Sequence, residues 1–334
     1  MDRIRLGIVG TGLIWEHVHR PVVDSMPGRY EVVALCARKQ ENHAKWKRRY
    51  PDARIYGRYE DLLDDAAVDV VVVATPIHLN GEVTLAALKA GKDVFEEKPM
   101  CLGSDEAAEI LRAQQIHGKR VYMLEQFLYD AKVSYIADMI RHKKMGDFIL
   151  FNKITHYFAD SSDDHTVGYF QTDWRINPEY PLGLLFDSGA HEMAVLIHLY
   201  GMPASIYASG VKIREGFGEY DCVMMSFHYE DGSSGLFSHS AYLEPSQNGD
   251  TIFFTKGTVR ISGHEVQIVY NDGSSDTISF QEENLYALMW AQLHTDYVNT
   301  EAGICSAEQG ADVIRVFDAI AQSISTGESV QLRP

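Results

Sequence analysis

A lysine set against a proline after an apolar run, and an aspartate one helical turn ahead of a histidine, are the side chains here best suited to moving protons. Lys98 closes the stretch Asp93-Val94-Phe95-Glu96-Glu97-Lys98-Pro99, which reads as a strand running into a residue whose ring fixes φ. A lysine at the carboxyl end of a strand stands at the edge where α/β sheets bind ligands, so its ammonium can stabilise an oxygen that gains negative charge. By residue type alone such a lysine is more often solvated, and the case for it rests on its company. Asp187 and His191 lie in Leu184-Leu185-Phe186-Asp187-Ser188-Gly189-Ala190-His191, ahead of an apolar helix ending near Tyr200. At that spacing both occupy one helical face, where a carboxylate orients an imidazole and stabilises its protonated form. Such a pair can exchange a proton with a hydroxyl. Read separately, His191 would equally serve as a core histidine and Asp187 as a helix cap.

The elements that must position these groups alternate in the first part of the chain. Ile4 to Val9 is a short apolar strand, followed by Gly10-Thr11-Gly12-Leu13-Ile14-Trp15 and a helical segment kinked at Pro21. Glu31 to Ala37 is a second strand, with a basic helix from about Glu41 to Tyr50 behind it. Val68 to Ala74 is nearly all valine, as expected of a strand buried on both faces, and stops at Thr75-Pro76. A helix to Ala90, a strand into Lys98, a helix from Ser104 to about His117 and a strand from Arg120 to Leu124 complete the pattern. This predicts an α/β Rossmann domain, a doubly wound parallel sheet, over residues 1–124.

The glycine turn has the chemistry of a dinucleotide site. Gly10 permits a tight turn, and Gly12 lets backbone amides of the turn, with Thr11, Leu13 and Ile14, approach a pyrophosphate at a helix N-terminus. Trp15 stands where a third glycine normally allows close packing, which predicts a displaced helix or an aromatic turned outward. After the second strand, where a carboxylate would grip the ribose of NAD, the chain has Arg38 and Lys39. A guanidinium there pairs with the extra phosphate of NADP, so NADP is favoured over NAD.

From residue 125 to 334 the pattern changes to a helix near Lys132 to His142 and long alternating strands such as Phe148 to Tyr157 and Ser205 to Ile213. Hairpins are expected at Asp231-Gly232 and Asp272-Gly273, and helices at Leu285 to Asn299 and Ala307 to Ser325. This second domain is α+β, built on a large, mostly antiparallel open sheet.

The totals narrow the partners. With 334 residues and a formal charge of −17, the chain has the length for two cores and a field that repels nucleic acid and anionic membranes. No apolar run reaches the length of a bilayer span, and the N-terminus lacks a signal-peptide profile. Cys36, Cys101, Cys222 and Cys305 are scattered without zinc-site spacing, which predicts reduced thiols, a cytoplasmic protein and no bound metal.

Taken together these residues resemble the Gfo/Idh/MocA oxidoreductases, the family of glucose-fructose oxidoreductase and inositol dehydrogenase. The markers are Gly10-Thr11-Gly12, Ala74-Thr75-Pro76, Glu97-Lys98-Pro99, Trp174-Arg175, Asp187-Ser188-Gly189-Ala190-His191, Gly257-Thr258-Val259-Arg260-Ile261 and Thr326-Gly327. The resemblance implies hydride transfer between a nicotinamide coenzyme and a secondary alcohol of a sugar, sugar derivative or cyclitol. It assigns Lys98, Asp187 and His191 as the catalytic trio, with His156, Tyr157 and Trp174 beside them on the substrate. It also implies coenzyme contacts from Thr75, Pro76, His78, Asn80, Glu97, Lys98 and Arg175, and a homo-oligomer, dimer or tetramer, joined through the open sheet. Two departures stand out: Ile77-His78-Leu79-Asn80 differs from the family's usual strand end, and Trp15 replaces a small residue. They support a second reading, a dinucleotide-binding sensor or regulatory protein without catalysis.

Overall fold

Val70, Val71, Val72 and Val73 are all withdrawn from solvent, because both faces of the strand they form are covered. In the computed structural model, which describes residues 3–159 and 168–332, this strand lies near the centre of a parallel sheet. The sheet takes β1 (Ile4–Val9), β2 (Tyr30–Cys36), β3 (Arg54–Tyr56), β4 (Val70–Val73), β5 (Asp93–Glu97) and β6 (Val121–Leu124) in the order β3-β2-β1-β4-β5-β6. All its strand pairs are parallel. The order reverses between β1 and β4, which opens a crevice at their carboxyl ends. Helices α1 (Arg20–Asp24), α2 (Gln40–Arg49), α3 (Tyr59–Leu63), α4 (Asn80–Lys89) and α5 (Ser104–His117) connect the strands. The edge strand β3 was not expected: at three residues it is too short to show a period.

Among the described residues the second sheet has nine strands. After α6 (Ala131–Arg141) come β7 (Phe148–Phe158), the short α7 (Asp173–Ile176) and α8 (Leu184–Asp187), and α9 (Gly189–Tyr200). Then follow β8 (Ser205–Val211), β9 (Cys222–His228), β10 (Ser234–Ser240), β11 (Tyr242–Phe254), β12 (Gly257–Ser262), β13 (Glu265–Tyr270) and β14 (Ser275–Ser279). The chain ends with α10 (Leu285–Asn299), α11 (Ala307–Thr326) and β15 (Val330–Gln331). The sheet order is β14-β13-β12-β11-β7-β10-β9-β8-β15, antiparallel throughout except for the parallel pair of β7 and β10. Both expected hairpins form. Gly232 and Gly273 take φ of +86° and +87°, and Asp231 and Asp272 each accept from the backbone N–H two residues on, at 2.9 Å.

One face of this sheet is the core, where Tyr200 of α9 stacks on Phe148 and Phe151 at 4.6 Å between ring centroids. Gly235 makes room for that stack, since a Cβ on it would fall 2.1 Å from the Phe151 ring. The other face exposes Tyr207, Val211, Met224, Leu236 and Phe253.

The chain does not divide in one place, as the expected 124/125 boundary would require. The first compact unit is 1–126 with 284–314, and the second is 127–283 with 315–334. Helix α10 belongs to the first because its aromatic residues cover the sheet there. Trp290 packs edge-on against Tyr30 at 5.1 Å and Phe95 at 5.8 Å, and Arg120 lies 4.4 Å over the ring of Tyr297.

Candidate active site

The glycine turn follows β1 and borders β4, in the crevice of the first unit. Gly10 has φ +99°, and a Cβ on it would stand 2.2 Å from the Ala74 carbonyl oxygen, so only glycine lets the two strand ends approach. A Cβ on Gly12 would meet nothing within 4 Å, leaving the outer side of the turn open to a ligand. Thr11, Leu13 and Ile14 are half-buried in the same turn. Trp15 is not turned outward: it is fully buried, and the helix opens with a π-helical turn, Trp15–His19. Bonding from i to i+5 widens that turn and seats the indole where a glycine would otherwise pack. Pro21 stands in the first turn of α1, directly after it. Beyond β2, Lys39 lies 3.8 Å from Glu41, while exposed Arg38 makes no hydrogen bond or ion pair among the described residues. Its guanidinium is available to an anion. The open turn fits the pyrophosphate of a dinucleotide.

At the neighbouring strand end, Asn80 is buried and its amide is engaged by the protein. Its Oδ1 accepts from Thr75 Oγ1 at 2.7 Å, and its Nδ2 donates to the carbonyls of Glu97 at 3.1 Å and Pro99 at 3.0 Å. Asn80 therefore holds the segment that carries Lys98, in which the Lys98-Pro99 peptide is cis. His78 is half-buried on the 3₁₀ turn Ile77–Leu79, beside Pro76. Glu97 is 7% exposed, with Oε1 at 2.5 Å from His19 Nε2 and Oε2 accepting the Lys98 N–H at 3.1 Å. The adjacent Glu96 points elsewhere. Burial pushes its carboxyl well above the usual range, and its Oε1 accepts from Thr84 Oγ1 at 2.7 Å.

In the second unit, α7 delivers Trp174 and Arg175. Arg175 Nε donates to Asp187 Oδ2 at 2.6 Å, and its guanidinium lies 3.9 Å from the Trp174 ring and 4.9 Å from that of Tyr169. The carboxylate is thereby fixed by a planar cation that is itself stacked. His191 follows one turn later on α9, its ring 4.9 Å from that of Phe127. Ser188, between them, donates to the Leu184 carbonyl at 2.7 Å and so accepts from the Tyr157 hydroxyl at 2.5 Å.

Adjacent strand residues face opposite ways, and this corrects the expectation that His156 and Tyr157 share one wall. Tyr157 faces α9. His156 faces the other side of the sheet, with Nε2 2.8 Å from Ser238 Oγ. Sequence reasoning also missed a buried charge group under α9. Lys153 Nζ lies 2.7 Å from Glu192 Oε2 and 2.9 and 3.1 Å from the two Asp250 oxygens. Burial alone would pull this lysine down, and the two carboxylates more than reverse that, so it stays charged. His239, beside Ser188, is pulled down to about 4 by burial, against the opposing pull of Glu192. A period-two reading of β7 and β10 would have found Lys153 and His239. The Asp250 partnership had no local signal.

A parallel sheet with a glycine turn at its switch point, followed by a large sheet unit carrying an anchored aspartate and a histidine, defines a dinucleotide-dependent oxidoreductase class. Residues 4–125 match the oxidoreductase family with NAD-binding Rossmann fold, and residues 133–260 match the GFO/IDH/MocA C-terminal domain. The chain belongs to the Gfo/Idh/MocA family. It is 27% identical over 229 residues to the Bacillus subtilis scyllo-inositol 2-dehydrogenase (NADP(+)) IolW, covering 69% of this chain and 61% of that protein. It is 33% identical over 192 residues to an inositol 2-dehydrogenase of Salmonella paratyphi B, covering 53% and 56%. The matched region spans about three-fifths of the length of such curated relatives. An oxidoreductase structure from Thermotoga maritima superposes with TM-score 0.89 at 24% identity over 99% of this chain and 98% of that one, a likeness of fold.

Proposed function

We propose that this chain is an oxidoreductase, NADP(H)-preferring, that interconverts a secondary alcohol and a ketone on an uncharged sugar, sugar derivative or cyclitol. The observation that carries the reading is the Arg175-anchored carboxylate of Asp187 one helical turn ahead of His191. Oxidation takes a proton from the hydroxyl and a hydride from its carbon, and the bound nicotinamide supplies the hydride acceptor. His191 takes the hydroxyl proton, and Asp187 stabilises the resulting imidazolium. Lys98 donates a hydrogen bond to the reacting oxygen and offsets its developing charge. In the reducing direction these roles reverse. Tyr157 and Trp174 are the remaining candidates for substrate contact.

Two features favour the finer terms. Arg38, just beyond β2, has no hydrogen bond or ion pair among the described residues, and a relative named above is described as NADP-dependent. An uncharged substrate is favoured by the pairing of Arg175 and Lys153, which are already matched by Asp187 and by Glu192 and Asp250. A phosphate or carboxylate on the substrate would find no unmatched cation among these and an excess of acid around Lys153. The apolar outer face of the second sheet favours a homo-oligomer, which the mass in solution would test.

The deciding experiment offers neutral and charged pairs, such as inositol against inositol monophosphate and glucose against glucuronate, with NAD and NADP in parallel. Reduced coenzyme is read by absorbance. Turnover of neutral polyols with NADP, abolished in Lys98→Met while coenzyme binding persists, is expected. Coenzyme binding with no turnover across the panel would instead favour the non-catalytic sensor.

A further inference from the structure

We infer that His19 is a positioning residue for Lys98, acting through Glu97 inside the first unit. The inference rests on the reading of Lys98 as the group that meets the reacting oxygen, and its geometry stands apart from that reading.

His19 is wholly withdrawn from solvent, at 0% exposure. The indole N–H of Trp290 points at its Nδ1 from 3.1 Å. An indole nitrogen can only donate, so Nδ1 must accept and the ring proton must lie on Nε2. That proton is directed at Glu97 Oε1, 2.5 Å away, and Glu97 Oε2 receives the backbone N–H of Lys98 at 3.1 Å. The result is a directed chain of donors, Trp290 to His19 to Glu97, with the peptide of Lys98 meeting the far oxygen. Both oxygens of Glu97 act as acceptors, which is the pattern of a carboxylate held at a fixed rotamer.

The chain ties three segments distant in sequence: the π-helical turn after the glycines, the end of β5 and helix α10. The π-helical turn sets the direction of His19. It sinks Trp15 into the core and, four residues on, presents His19 to the strand end that carries Lys98. The neighbouring Glu96 is the internal contrast. It is buried even more deeply than Glu97, but its donor is a hydroxyl, that of Thr84, and its other oxygen has no hydrogen-bond partner among the described residues. Two successive acids at one strand end therefore have different surroundings, and the one next to Lys98 receives the imidazole. A carboxylate held by directed N–H donors fixes the peptide plane from which the Lys98 side chain departs.

The test compares His19→Gln, which keeps an N–H donor and an acceptor, with His19→Leu, which fills similar space and has neither. Trp290→Phe removes only the indole donor. The His19→Leu enzyme should lose roughly tenfold or more in kcat on the best polyol, the scale of a lost charge-assisted hydrogen bond. Its Kd for NADPH, from fluorescence titration, should stay within about threefold. His19→Gln should recover most of the rate, and Trp290→Phe should fall between. Ring ¹⁵N resonances of the wild-type protein, assigned by loss in His19→Gln, should show Nε2 protonated and Nδ1 accepting. Wild-type kcat in His19→Leu, or equal loss of rate and NADPH binding not rescued by Gln, would overturn the inference. So would a ring protonated on Nδ1. If no polyol is turned over by the wild-type protein, the functional reading fails and the ¹⁵N measurement still decides whether the relay exists.

Discussion

Arg175 Nε stands 2.6 Å from Asp187 Oδ2, with side chains only 11% and 8% exposed, one helical turn ahead of His191. The guanidinium lies against the rings of Trp174 and Tyr169. Arg175→Met would remove the ion pair that holds the buried Asp187 carboxylate, and should cost about 3 kcal/mol of stability by urea unfolding, along with most of the activity. Replacing both partners, Arg175→Met with Asp187→Leu, should recover much of the stability and none of the activity. A double variant as unstable as the single one would show that the pair is not the source of the loss.

Arg38 bears on coenzyme choice. Arg38→Asp replaces a guanidinium that is unpaired among the described residues with a charge that repels the extra phosphate of NADP. A drop of roughly 10- to 100-fold in kcat/KM for NADP, with little change for NAD, matches the loss of one charge-assisted contact. Parallel initial rates with the two coenzymes measure it, and an unchanged ratio would remove Arg38 from the site.

The buried His239 should mark the acid limb of stability. Its folded value is about 4, below the 6.5 of an ordinary histidine. Between those values the unfolded chain holds a proton that the folded chain does not, so stability falls as the pH drops through this window. The full window amounts to about 3 kcal/mol for this group. His239→Gln should flatten the slope of unfolding free energy against pH there. His156, His198 and His294, also lowered by burial, would retain part of it.

Glu96 acts with the opposite sign. Burial raises its carboxyl, so the folded chain keeps a proton that the unfolded chain releases above its ordinary value. Its contribution is complete in acid and is lost as pH rises. Glu96→Gln does not titrate and keeps an acceptor for Thr84, so it should raise stability at neutral pH by on the order of 1 kcal/mol. The gain should shrink toward zero in acid, and thermal unfolding at two pH values is sufficient to check it.

Much of the first sheet was legible because its signals are local. The valine run, the glycine turn and the helix 104–117 ending at Gly118 each lie within a few residues. The Asp-Gly hairpins were legible for the same reason. The relation of His156 to Tyr157 was also readable, since neighbouring residues on one strand must face apart. What could not be read is carried by distant partners. Arg175 finds Asp187 across 12 positions, Lys153 finds Asp250 across 97, and His19 finds Trp290 across 271. No period or motif encodes such pairings. Trp15 in place of the third glycine did mark a displaced helix, but the π-helical form of that displacement was hidden, since a single i to i+5 turn has no period to read.

The return of α10 to the first unit has a consequence for biosynthesis. The six-stranded sheet is complete in sequence by Leu124, but the indole that covers Tyr30 and satisfies His19 is translated far later. At about 5–20 residues per second, the 271 positions between His19 and Trp290 correspond to a delay on the order of half a minute. Throughout it, the nascent coenzyme unit carries uncovered aromatic surface and an imidazole without its donor. Closure of the first unit therefore waits on chain translated after most of the second.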